Sequence, residues 1–78
     1  MLKSHTIHPD TPSGIKYAEE YIKKTMKQGS IMIVTKFGHM YEVESYNSKD
    51  RELRCHYMSH LRQLQMVKLG NVHRIVHN

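Results

Sequence analysis

Apolar residues change their spacing twice along the chain, and each change marks a new kind of element. Residues 1–10, MLKSHTIHPD, show no period and are polar, so they read as a flexible N-terminal arm ahead of one small domain at 11–78. From Ile15 the spacing becomes helical. Ile15, Ala18, Ile22 and Met26 fall three and four residues apart and share one face, with Tyr21 widening it. Thr11 or Ser13 can cap that helix, Pro12 suits its first turn, and Gly29 ends it, which predicts a helix over about 12–28. Glu19 with Lys23 and Glu20 with Lys24 are spaced as i,i+4 pairs, each worth ~0.3 kcal/mol.

After Gly29 the period shortens to that of strands. Ile31–Thr35 is apolar on both faces, as a central strand is. Lys36-Phe37-Gly38-His39 predicts a tight turn. Met40–Tyr46 then alternates, with Tyr41, Val43 and Ser45 on one face and Met40, Glu42, Glu44 and Tyr46 on the other. A turn at 47–50 leads to Glu52–Met58, where Leu53, Cys55 and Tyr57 alternate with Arg54 and His56. Residues 59–69 admit two readings. Ser59 and Gly70 could bound a helix, but Leu61, Leu64, Met66, Val67 and Leu69 do not hold one helical face. A loop at 59–62 and a strand at about 64–69 fit better, followed by a Gly70-Asn71 turn and a strand at Val72–Val76. The expected fold is α+β: an N-terminal helix, then a small, bent antiparallel β-sheet of four to five strands. The alternative is α-β-β-β-α-β with a second helix at about 59–69.

At 78 residues the chain buries little surface, and a domain of this size gains from self-association. Cys55 is the one cysteine, so no internal disulfide forms, and a lone thiol suits the cytoplasm. No apolar run approaches the ~20 residues of a membrane span, and the first residues lack the apolar core of a signal peptide. Twelve Lys and Arg against seven Asp and Glu give a net charge of +5, which draws polyanions such as nucleic acid or an acidic protein surface.

Motifs for chemistry are sparse. The Cys55–His60 run, CHYMSH, has metal-ligating residue types, but Cys55 and His56 point to opposite faces of a strand. Cys55 shares the apolar face of Leu53 and Tyr57, where a cysteine serves as a small core residue. There is no phosphate loop, nucleophile elbow or HExxH. The expectation is therefore a non-enzymatic protein with no catalytic residues, no metal and no cofactor. Binding has broader support. Lys36, Lys49, Arg51, Arg54, Lys68 and Arg74 can hold phosphates, while Phe37, His39 and Tyr46 lie among them and can stack on unpaired bases.

Lys36-Phe37-Gly38-His39-Met40-Tyr41 is similar to the Lys-x-Gly-x-x-(apolar) turn of the first Sm motif. Leu69-Gly70-Asn71-Val72, with Ile75-Val76, is similar to the Arg-Gly-Asn-x-Val ending of the second. Across about residues 12–76 the chain resembles the Sm-like fold, and within it the bacterial Hfq type, in which a short helix precedes a strongly bent five-stranded sheet. Val43 stands near the family's second-strand glycine, and Lys68-Leu69 replaces its lysine-histidine pair. The resemblance implies a homo-oligomeric ring and RNA binding, and it adds Asn71 to the candidate binding residues. The function expected is a small RNA-binding regulator, with RNA ahead of DNA. The competing expectation is a protein-binding inhibitor or accessory module, of the kind phages and plasmids encode, acting on an acidic or nucleic-acid-binding partner.

Overall fold

The computed structural model describes residues 1–58 and 63–78. Its elements run β1 (Lys3–Thr6), α1 (Pro12–Gln28), β2 (Ile31–Thr35), β3 (Met40–Asn47), β4 (Glu52–Tyr57), β5 (Leu64–Lys68), a one-turn 3-10 helix (Leu69–Asn71) and β6 (Val72–His77). The strands form one antiparallel sheet in the order β1-β6-β2-β3-β4-β5. The α+β architecture is the one predicted, but the sheet has six strands and is open, with β1 and β5 at its two ends.

The helix forms where its caps place it. Thr11 is extended, and its Oγ1 accepts the Gly14 N–H at 3.1 Å, satisfying one of the free donors of the first turn. Ala18, Ile22 and Thr25 are buried on the inner face, and Ile15, Tyr21 and Met26 rim it. They meet the inner sheet face, built from Ile31, Ile33, Tyr41, Val43, Leu53, Cys55, Val67, Leu69, Val72 and Ile75. Burying an aliphatic side chain of this kind contributes about 1.5–3 kcal/mol, so this layer supplies the main driving force. Ile31 and Ile33 lie at its centre because β2 has β6 on one side and β3 on the other.

Three features depart from the sequence reading. Residues 3–6 are a strand rather than a loose arm: Lys3 faces His77, Ser4 faces Val76 and His5 faces Ile75. Ile7 follows at 2% exposure, and its N–H donates to the His73 carbonyl at 3.0 Å. A polar KSHT run has no apolar alternation to betray it, because it is an edge strand whose support is backbone pairing. Residues 64–68 are strand, so the helix considered over 59–69 does not form there; the loop expected at 59–62 lies outside the described residues.

The third departure is a bulge in β3. Val43 faces Cys55 and Ser45 faces Arg54, which leaves Glu44 without a partner in the register. Beyond the bulge the alternation is inverted. Tyr46 therefore faces Leu53 and packs on the core, on the same side as Tyr41 and Val43 rather than with Met40.

The bulge bends β3 sharply. The Lys36 N–H donates to the Asn71 carbonyl at 2.8 Å, and the Leu69 N–H donates to the Arg51 carbonyl at 2.8 Å. Three residues, 69–71, thus link the turns at both ends of β3. Three residues reach at most about 11 Å, whereas a straight strand of eight residues spans about 26 Å. Only a bent strand satisfies both bonds.

Gly14 is fixed by close approach. A Cβ there would lie 2.0 Å from the His8 carbonyl oxygen, while a Cβ on Gly70 would meet nothing within 4 Å. Gly14→Ala should therefore destabilise the fold by about 1–3 kcal/mol despite its better helix propensity. Gly70→Ala should stay within about 0.5 kcal/mol. Urea unfolding followed by circular dichroism checks both.

Candidate nucleic-acid interface

The β2–β3 turn is organised by Thr35. Its N–H donates to the His39 carbonyl at 2.8 Å, and its carbonyl accepts the Gly38 N–H at 3.0 Å. Its buried hydroxyl also accepts the N–H groups of Phe37 at 3.3 Å and His39 at 3.1 Å. Gly38 sits at φ 85°, a conformation that glycine adopts without steric cost. With its N–H groups bonded to Thr35, His39 and Asn71, the turn leaves Lys36, Phe37 and His39 outside. The Phe37 side chain is 78% exposed. The His39 ring stands edge-on to Tyr41, with centroids 6.3 Å apart.

The β3–β4 turn is built on Asn47, whose side-chain oxygen accepts the N–H groups of Lys49 at 3.0 Å and Asp50 at 3.4 Å. Arg51 closes it at φ 50°. Lys49 and Arg51 are exposed and form no ion pair among the described residues. Because both turns are bonded to residues 69–71, their backbones come within roughly 17 Å of each other. One margin of the domain thus gathers Lys36, Phe37, His39, Lys49, Arg51, Lys68 and Asn71, all exposed.

The other three candidates lie elsewhere. Arg54 faces away from the helix and pairs with Glu44 at 3.5 Å. Arg74 donates to the Ser4 hydroxyl at 3.2 Å. Tyr46 is turned inward by the bulge, and its hydroxyl donates to the Glu19 carboxylate. Burial first, then that bond, holds the Tyr46 phenol well above its ordinary range. Tyr46 is a tie between helix and sheet, and its ring is not presented as the alternation predicts. Glu19, read as the partner of Lys23, serves this tie.

Lys36 pairs with Asp10 at 3.1 Å and Lys68 with Glu52 at 3.4 Å. An exposed pair such as Lys36–Asp10 contributes about 0–1 kcal/mol, so a phosphate can replace Asp10 at little cost, whereas Glu52 is half-buried. The predicted metal-type run is split by the strand. Cys55 is fully buried among core residues, and His56 lies on the outer face 3.3 Å from Glu44. No group of three or more His, Cys, Asp or Glu side chains among the described residues is placed to hold a metal ion. No helix among them is long and apolar enough to cross a membrane.

One cluster has no counterpart in the sequence reading. The His5 ring stacks on Tyr21 at 4.1 Å and 12°, and its Nε2 is 2.9 Å from the Tyr17 hydroxyl. The Tyr21 hydroxyl is 2.6 Å from Nε2 of His77, which is 8% exposed. Burial, then the neighbouring Tyr17, raises the Tyr21 phenol. The one signal available in the sequence was Tyr17 and Tyr21 at i,i+4 spacing, since the stack depends on β1, which the sequence did not reveal.

Tyr46→Phe should cost about 1 kcal/mol, the worth of one hydrogen bond with partial solvent access, read from the urea midpoint. Burial pushes the Cys55 thiol up from 9.0 to about 12. It also pushes Tyr41 up from 10.0 to about 12, with Tyr57 adding to the shift. Both groups keep their protons in the fold and release them sooner when unfolded, so stability is full below pH 9 and should fall as pH climbs toward 12. Below pH 9, Cys55 should resist thiol reagents until denaturant is added, and rapid labelling of the native protein would contradict this. Comparison of the chain with protein-family models, with curated proteins and with solved structures returns no match.

Proposed function

We propose that this chain is a small cytoplasmic protein that binds single-stranded nucleic acid, RNA ahead of DNA, and performs no chemistry on it. The observation that carries this reading is Phe37. It is a large aromatic side chain, 78% exposed, held out on a turn whose N–H groups are already bonded. It gains nothing for the core there, and its ring is available to an unpaired base. Lys36, His39, Asn71, Lys49, Arg51 and Lys68 share its margin, and the net charge of +5 favours phosphate. The preference for RNA rests on the Sm-like resemblance. A helix followed by five strands, β2–β6, bent at the Val43–Ser45 bulge, is compatible with it. β1 is an addition to that pattern. Self-association belongs to the same proposal, since β1 and β5 each have a strand neighbour on one side only.

A second reading has its own observation. Met40, Leu64 and Met66 lie on the sheet face away from the helix, Met58 follows β4, and each is exposed by 42–48%. Methionine-rich surfaces adapt well to protein partners, so this face suits the accessory or inhibitor role. A protein recovered after nuclease treatment, and lost with Met66→Glu, would favour it.

Fluorescence anisotropy with labelled RNA and DNA oligonucleotides tests the first reading. Binding should weaken as salt rises, with a log–log slope of about −0.7 for each phosphate neutralised. Lys49→Ala and Arg51→Ala should each flatten that slope. Phe37→Ala should weaken binding roughly tenfold and change stability by less than about 0.5 kcal/mol. Absent or salt-insensitive binding would overturn the proposal. Light scattering gives the oligomeric state.

A further inference from the structure

The His5, Tyr17 and Tyr21 cluster does more than pin β1 to the helix. Tyr17 is 51% exposed although its hydroxyl is 2.9 Å from His5 Nε2, so the ring is held in place while much of it stays open. Two grooves meet at Tyr17. One of about 300 Å³ runs past Thr6, His8, Thr11 and Ser13, and the other, of about 270 Å³, is lined by Glu20, Tyr21 and Lys24. Both are shallow and open to solvent, which suits one flat ring laid against them rather than an enclosed ligand. The rings are prearranged: Tyr17 and Tyr21 are tilted 32° at 6.2 Å, and His5 lies stacked against Tyr21.

Both signs of charge edge the seam. Lys24 lines the second groove, Lys16 adjoins Tyr17, and Lys3 faces His77 across the β1–β6 ladder. Glu20 is the carboxylate in the lining. Asp10, two residues after His8 of the first groove, pairs with Lys36 of the hairpin at 3.1 Å, which ties the segment before the helix to that margin.

We propose that the seam between α1 and β1 is a second base-stacking site for single-stranded nucleic acid, with Tyr17 as the ring that takes the base and Lys3 and Lys24 holding the flanking phosphates. This rests on the reading of the hairpin margin as a nucleic-acid interface and extends it along the N-terminal half of the helix. Stacking follows from chemistry that every base shares, so the site tolerates sequence and discriminates for unpaired strands over duplex.

The chain contains no tryptophan, so Tyr17→Trp places a single reporter in the seam. Its emission should be quenched when a single-stranded oligonucleotide of uridines or thymidines is added, and much less so with duplex of the same length. Tyr17→Ala should weaken binding of the single strand roughly tenfold, while Tyr17→Phe, which keeps the ring and loses the hydroxyl, should bind like the parent. If Phe37→Ala weakens binding while Tyr17→Ala does not and the emission of the Tyr17→Trp variant is unmoved, the seam is structural only and the hairpin reading survives. If Tyr17→Ala weakens binding and Phe37→Ala does not, the seam stands and the hairpin reading fails. If Tyr17→Phe loses as much affinity as Tyr17→Ala, the hydroxyl's grip on β1 is what matters, and stacking is overturned. If the parent protein binds no single strand, both readings fall.

Discussion

Much of this molecule depends on one extra residue in one strand. Glu44 has no partner in the register, and that bulge turns β3 through the angle that lets residues 69–71 bond to Lys36 on one side and to Arg51 on the other. Leu53, Leu69 and Val72, near these bonds along the chain, are all buried in the core. The bulge also exchanges the faces of everything after Val43, which brings the Tyr46 hydroxyl to Glu19 on the helix. Local geometry, sheet curvature and helix docking are thus coupled through this irregularity, and a second register shift, which skips His73 between Val34 and Thr35, sets β6 against β2 just before the Lys36–Asn71 bond.

The same bend creates the candidate interface. Lys36 and Arg51 are separated by the whole of β3, and in a flat sheet they would lie at its opposite ends. Drawn together on the 3-10 turn, they form a basic margin around an exposed phenylalanine. The lysines there are exposed and their pairs are worth little in water, with Asp10 exposed and Glu52 half-buried. A surface of loosely paired cations suits a ligand that brings its own negative charge.

The N-terminal strand shows a different balance. KSHT brings almost no apolar surface, and backbone pairing with β6 is joined by the His5 stack on Tyr21 and the Arg74 bond to Ser4. Only the following Ile7 enters the core. An edge held mainly by hydrogen bonds and rings opens more readily than one held by burial, which places the aromatic seam at an adaptable margin of the domain.

The spacing of Ile15, Ala18, Ile22 and Met26, the Thr11 cap, the central Ile31–Thr35 strand and the Thr35–His39 turn were legible because each is written in neighbouring residues and their periods. The exposure of Phe37 was legible for the same reason, as a turn position has no face to bury. The place of Tyr46 was not, because a period of two carries no sign of where a bulge will invert it. β1 was not, because a polar edge strand is chosen by the strand it joins and leaves no pattern of its own. The gathering of Lys36, Arg51 and Asn71, and the stacking of His5 on Tyr21, join residues far apart along the chain. The sequence by itself determined the helix, the inner strands and the charge. Tertiary structure decided which of those charges and rings would share a surface, because that depends on curvature and pairing that no local spacing encodes.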